Sequence, residues 1–232
     1  MKKLVALLLS VVCLCSLCSC SGKTEDTFTT SKRNVIITRE DLEKQVLTGK
    51  LDTATFATGS SFDTVKKHFL DLVDSYKNIP GQPAEHVTLI GENEERYEFR
   101  MGYIFSYIIY QDQQYYFVNG KESQGVAAVV SKSKDGAFGF KVGNCPEEDI
   151  INSLGKADFT DVPEPNSYNI CVPNNSPAKR LTYMFENYRL DFMLADYGDG
   201  LGYTLSAVIL TDTNIYSDYT TTPASTTEST IG

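Results

Sequence analysis

Two stretches decide how this chain is read: GFKVGNCPEEDIINSLG, Gly139–Gly155, and ATGSSFDTVKKHF, Ala57–Phe69. In each, a glycine (Gly143 or Gly59) stands two residues before a possible helix cap, Cys145 or Ser61. An amphipathic segment follows each cap. Phe62, Val65, Phe69, Leu72, Val73 and Tyr76 recur at helical spacing, which gives that segment one apolar face. Pro80, Gly81 and Pro83 end it.

Strand-like runs come after each helix. RYEFRM, FSYIIY, QYYFV and GVAAVV follow the first; LTYMFE, YRLDFMLAD and TLSAVILTD follow the second. Turns are expected at Gln111 to Gln113, at Asn119–Gly120, and at ADYGDG, Ala195–Gly200. The last runs match in pattern, Ala128–Val129–Val130 against Ala207–Val208–Ile209, 79 residues apart, while the glycines are 84 apart. An earlier helix is expected from Thr38, with Asp41 three residues on and Gly49 as its stop. The expected fold class is α+β: an antiparallel sheet with helices packed on one face, in two repeated αβ units covering 34–134 and 135–216. One larger sheet bearing helices is the alternative.

The termini have a different character. Lys2 and Lys3 precede LVALLLSVVCLC, an apolar run of 12 residues. That is short of the ~20 residues of a membrane span and has the length of a signal-peptide core. LCSC, Leu17–Cys20, then resembles the lipobox of bacterial lipoproteins. The resemblance implies a signal peptide over 1–19, a diacylglyceryl group on Cys20, and a lipidated tether over 20–33. It also implies attachment to the extracytoplasmic face of a cell membrane, on a Gram-positive cell surface. Two acyl chains are enough to hold a protein to a bilayer. The segment 217–232 contains YTTTPASTTESTIG and reads as a disordered Thr/Ser-rich tail.

The body, with VGNCPEEDIINSLG followed by LTYMF and YRLDFML, resembles two families of exported proteins. One is the small outer-membrane assembly lipoproteins, which have a glycine-led helix and a strand meander once. The other is the beta-lactamase inhibitory proteins, which have it twice. In those inhibitors the cysteines follow the helix, whereas Cys145 precedes it.

Charge narrows the partners. The chain has 21 Lys plus Arg against 30 Asp plus Glu, a net charge of -9. Loss of Lys2 and Lys3 with the leader leaves 19 against 30, or -11. Such a surface repels phosphate backbones, so no nucleic-acid partner is expected.

Cys145 has three readings. Pro146 and the acids Glu147, Glu148 and Asp149 suit a helix start, where a thiol pKa can fall, but three acids disfavour thiolate. A metal site needs more ligands than Cys145, Cys171, His68 and His86 offer, so no metal or other cofactor is expected. An exported cysteine pair reads most readily as a disulfide between Cys145 and Cys171, with two buried free thiols as the alternative. The closed loop of about 27 residues would contribute ~3.5 kcal/mol.

No catalytic motif stands out, and no catalytic residues are assigned. The aromatic content does stand out, with 14 Tyr, 12 Phe and no Trp. In FSYIIYQDQQYYF one face is needed for a core, and Tyr103, Tyr107, Tyr115 and Tyr116 are candidates for a binding surface on the other. The expected function is a non-catalytic binding module for a protein or a cell-wall glycan. The alternative is an enzyme acting on wall polymer or peptides.

Overall fold

In the computed structural model of the chain, the structure describes residues 35–72, 77–78, 86–91, 94–163, 176–200 and 202–216. The chain separates into two compact units, Met1–Lys32 and Arg33–Gly232, and every described residue lies in the second. The signal peptide and Cys20, Cys171, and the segment 217–232 therefore lie outside the described residues.

Among the described residues three short α-helices form where capping and periodicity place them. Helix α1 is Arg39–Val46, and the Thr38 hydroxyl accepts from the Asp41 N–H at 3.2 Å. Helix α2 is Phe62–Leu72, where the Ser61 hydroxyl accepts from the Thr64 N–H at 3.2 Å. Helix α3 is Glu147–Leu154. Its cap is Pro146 rather than Cys145, and its three acids occupy the first turn, where they meet the positive helix end.

The strands are β1 Lys77–Asn78, β2 His86–Ile90, β3 Arg96–Met101, β4 Phe105–Tyr110, β5 Gln113–Val118, β6 Ala128–Ser131, β7 Phe159–Asp161, β8 Ala178–Phe185, β9 Tyr188–Asp196 and β10 Tyr203–Asp212. Residues Gln111 and Asp112 make the β4–β5 turn, with Gln111 at φ 52°, and the ADYGDG loop joins β9 to β10. TATFATG, which reads as strand-like, forms turns and bends. His86 opens β2.

The expectation of an α+β fold in two repeated units is overturned. All ten strands join one antiparallel sheet in the order β1-β2-β3-β4-β5-β6-β10-β9-β8-β7. The reason lies in the two stretches that look like repeats of each other. Ala128–Ser131 and Val208–Thr211 pair directly, Val130 opposite Ile209 and Val129 opposite Leu210. The last strand of each half is thereby an interior strand, and no boundary remains between them. Strands dominate, and the helices are only 8, 11 and 8 residues long.

Helix α1 also crosses the expected boundary. Arg39 pairs with Asp158 at 2.6 Å and lies over the rings of Tyr183 and Phe185 at 5.4 and 5.6 Å. The Ile36 N–H donates to the Ser153 hydroxyl at 2.9 Å, and the Phe138 N–H donates to Asp52 Oδ1 at 2.8 Å.

What does recur is the entry to α2 and α3. The Gly59 N–H donates to the Val126 carbonyl and the Val126 N–H to the Ser60 carbonyl, at 2.8 and 2.9 Å. Likewise the Gly143 N–H donates to the Leu205 carbonyl and the Leu205 N–H to the Cys145 carbonyl, both at 2.8 Å. The glycine-led pattern is thus a strap that ties the start of α2 to the segment entering β6 and the start of α3 to β10.

One face of the sheet packs against the helices. Leu42, Val46, Val65, Phe69, Ile150 and Leu154 from the helices join Leu89, Tyr97, Ile108, Tyr115, Phe117, Val129, Val208, Phe192 and Tyr183 in a single core. Alternation along the strands sends their intervening residues to the other face. There a smaller apolar cluster forms from Val130, Met193, Ala207 and Ile209, with Tyr116 and Ala128 packed against it.

Candidate functional site

The register of the sheet lays out the face away from the helices as ordered rows. One row runs His86, Arg100, Tyr107, Tyr116, Ala128, Thr211, Arg189, Met184. The next runs Thr88, Glu98, Ile109, Gln114, Val130, Ile209, Asp191, Thr182. Directly opposed side chains on an antiparallel pair lie about 5 Å apart, so each row is a chain of neighbours.

Tyr107 and Tyr116 stack, with ring centroids 5.2 Å apart and planes at 25°. Phe105 meets Tyr116 edge-on at 5.8 Å, and Tyr216 meets Phe105 at 4.6 Å. The Tyr116 hydroxyl donates to Gln114 Oε1 at 2.8 Å. These two tyrosines are half-buried, with rings held by their neighbours.

The two other sequence candidates are elsewhere. Tyr103 is fully exposed in the β3–β4 turn. Tyr115 is wholly buried on the helix-packed face, where its hydroxyl donates to Gln113 and accepts from the Thr55 N–H at 3.1 Å. Burial raises its pKa, and the backbone donors of Phe56 and Thr55 oppose that rise. Period-two alternation separates Tyr115 from Tyr116, and the phase is set by which neighbour lies under α2.

Charged groups flank the tyrosine pair. On its β3 side Glu98, only 4% exposed, is contacted by three cations or potential cations. Arg96 Nε donates to Glu98 Oε1. Arg100 donates to Oε2 through Nε at 2.9 Å and through a terminal nitrogen at 2.7 Å, and His86 Nε2 lies 3.7 Å away. Arg100 has a raised pKa: burial works against its charge, but Glu98 and the Tyr107 hydroxyl outweigh it.

On the far side Arg180 grips Asp161 with two nitrogens at 2.8 and 2.5 Å. Asp191, fully buried, accepts from Arg189 Nε at 2.8 Å and from the Thr182 hydroxyl at 2.6 Å. Burial raises the Asp191 pKa, and Arg189, Thr182 and Arg180 counter it. Sequence reading missed both charge clusters. Alternation of R-E-R in RYEFRM is the one signal that marks three charged residues for a single face.

Among the described residues Cys145 is a free, buried thiol at the start of α3. Desolvation, with Asp149 adding to it, pushes its pKa from 9.0 to about 12. The thiol therefore keeps its proton at neutral pH, and the buried setting overrides the helix start. Its expected partner Cys171, and with it the proposed pair, lies outside the described residues. His68 packs edge-on to Phe56 at 5.1 Å and to Phe69 at 5.3 Å. Among the described residues no group of three His, Cys, Asp or Glu side chains is placed to hold a metal ion.

A separate open groove of about 340 Å³ runs beside α3, lined by Pro146, Glu147, Glu148, Ile151 and Tyr203. Lys179 lies 2.5 Å from Glu147 and 5.5 Å from the Tyr203 ring centroid, two of the lining residues. Glu147 is thereby engaged as an ion-pair partner.

The arrangement defines a class: a mostly antiparallel, single-sheet protein with one helix-packed face and one face bearing paired tyrosines between charge clusters. No protein-family model matches the chain, and neither a curated protein nor a solved structure does.

Proposed function

We propose that this protein is a membrane-anchored extracellular lipoprotein that acts as a non-catalytic binding module for a surface protein or a cell-wall glycan. Its contact surface is the face of the sheet away from the helices. The observation that carries this reading is the stacked Tyr107–Tyr116 pair, set beside Arg100 on rigid interior strands. Aromatic rings with polar tips supply contact area at little entropic cost, and a sheet holds them in fixed register. The LCSC lipobox supports lipid attachment at Cys20. Among the described residues no helix is long and apolar enough to cross a membrane.

The test is capture. The full chain, held in detergent and immobilised, is exposed to solubilised wall polymers and surface proteins of its own organism. A saturable partner that is lost in a folded Tyr107→Ala/Tyr116→Ala variant supports the reading. Turnover of wall fragments, with no partner retained, would move the function to the enzyme class.

A further inference from the structure

We infer that the β2–β4 end of this face is an anion site, and that its ligand is an acidic glycan whose carboxylate is clasped by Arg96 and Arg100. The inference rests on the reading of this face as the contact surface. It starts from a charge cluster. Two guanidiniums meet a single carboxylate at Glu98, in a chain whose net charge is -9.

The layering matters as much as the count. The Glu98 side chain is 6% exposed, whereas those of Arg96 and Arg100 are 58% and 40% exposed. Glu98 thus lies beneath and holds both guanidiniums, whose side chains remain partly exposed. A guanidinium carries five N–H donors, and the contacts to Glu98 use only part of each set. A planar carboxylate fits such a fork bidentately, and a preorganised fork loses less entropy on binding than a free side chain.

Two features favour a saccharide over a peptide. The arginines sit on β3, which is hydrogen-bonded to β2 on one side and β4 on the other. A peptide therefore cannot add there as an extra strand, and recognition falls to side chains alone. The neighbours along the row, Tyr107 and Tyr116, offer ring surface in place of the deep apolar pocket that anchors a protein hot spot. Together they suit a sugar ring carrying a carboxylate.

The experiment titrates the full chain in detergent with oligogalacturonate, a uronate-bearing glycan, with neutral dextran oligomers and with polyglutamate of matched charge. Saturable, salt-weakened binding of the uronate, with dextran not bound and polyglutamate bound more weakly, is expected. Arg100→Gln lowers affinity roughly tenfold, as expected for loss of a charge-assisted contact. Arg100→Lys, which keeps the charge and loses the fork, also weakens binding. Lys121→Gln removes the same charge from an exposed loop and leaves affinity unchanged. Arg96→Gln, at an exposed position, repeats the test should the Arg100 variants unfold.

Absent uronate binding, equal binding of polyglutamate, or equal effects of Arg100→Gln and Lys121→Gln overturns the inference. Should uronate fail while captured wall material still depends on Tyr107 and Tyr116, only the anion assignment falls. Loss of both removes the contact-surface reading as well.

Discussion

Cys145 makes the protein lose stability in alkali by an amount that follows from its burial. The folded thiol titrates at about 12 and the unfolded one near 9.0. Between these values the unfolded chain binds fewer protons than the folded one, so stability falls as pH rises. The contribution is fully present below pH 9.0 and is lost as pH approaches about 12. Each pH unit in that window costs at most about 1.4 kcal/mol, so the loss from this group at pH 10 is on the order of 1 kcal/mol. Tyr97 and Tyr183, both pushed by burial from 10.0 to about 12, add smaller losses of the same sign at that pH.

The assay is urea unfolding of the reduced chain at pH 8, 9 and 10, with Cys145→Ala alongside. The wild type is expected to lose about 1 kcal/mol more than the variant between pH 8 and 10. Equal pH dependence in the two proteins would refute the assignment of a protonated, buried thiol. Alkylation gives an independent check. Cys145 resists iodoacetamide in the native protein at pH 8 and reacts once unfolded. No reaction in the unfolded, unreduced chain would instead mean that its sulfur is already bonded, as the pair with Cys171 requires.

Other expectations concern the faces of the sheet and the strap. Asp191→Ala leaves Arg189, 7% exposed, without its carboxylate and should cost about 3–5 kcal/mol in denaturant unfolding; a cost below 1 kcal/mol would contradict the buried network. Among the described residues the buried Tyr97 hydroxyl has no hydrogen-bond partner, so Tyr97→Phe should stabilise by about 1 kcal/mol, seen as a raised urea midpoint. Gly125 has φ +86°, and a Cβ there would sit 2.3 Å from the Gly59 carbonyl oxygen. Gly125→Ala should therefore break the Gly59–Val126 strap and destabilise the protein by more than about 1 kcal/mol; a neutral result would contradict that contact.

Much of the local structure was legible in the residues. Thr38 and Ser61 cap helices because their hydroxyls satisfy first-turn N–H groups, and that signal is local. RYEFRM, FSYIIY and YRLDFMLAD are strands at the expected residues because aromatic and β-branched side chains fit a pleated surface. The joining of the halves was not legible. Val130 opposite Ile209 is a contact between residues 79 apart, and two similar apolar runs fit equally well as separate edges or as partners. Short β7 escaped notice because FTD is exposed at all three positions and shows no alternation.

The site was half legible. Tyr107 and Tyr116 fall on one face because β4 and β5 pair across a two-residue turn. Tyr115 looked equivalent to Tyr116 until helix α2 was placed. Phe69 of that helix stacks on Tyr110 at 4.5 Å and lies 5.5 Å from Tyr115, which fixes the inward phase of both strands. The Arg96–Glu98–Arg100 alternation was visible in the letters, but its importance depends on Glu98 being buried, which only the assembled sheet decides.

Side-chain footprinting of the full chain, with and without its captured wall or surface material, tests the central claim most directly. Hydroxyl-radical labelling read by mass spectrometry reports each tyrosine separately. The account predicts protection of Tyr107 and Tyr116, with Tyr203 in the groove beside α3 unchanged. Protection confined to Tyr203 and Ile151, with Tyr107 and Tyr116 labelled as in the free protein, would contradict it.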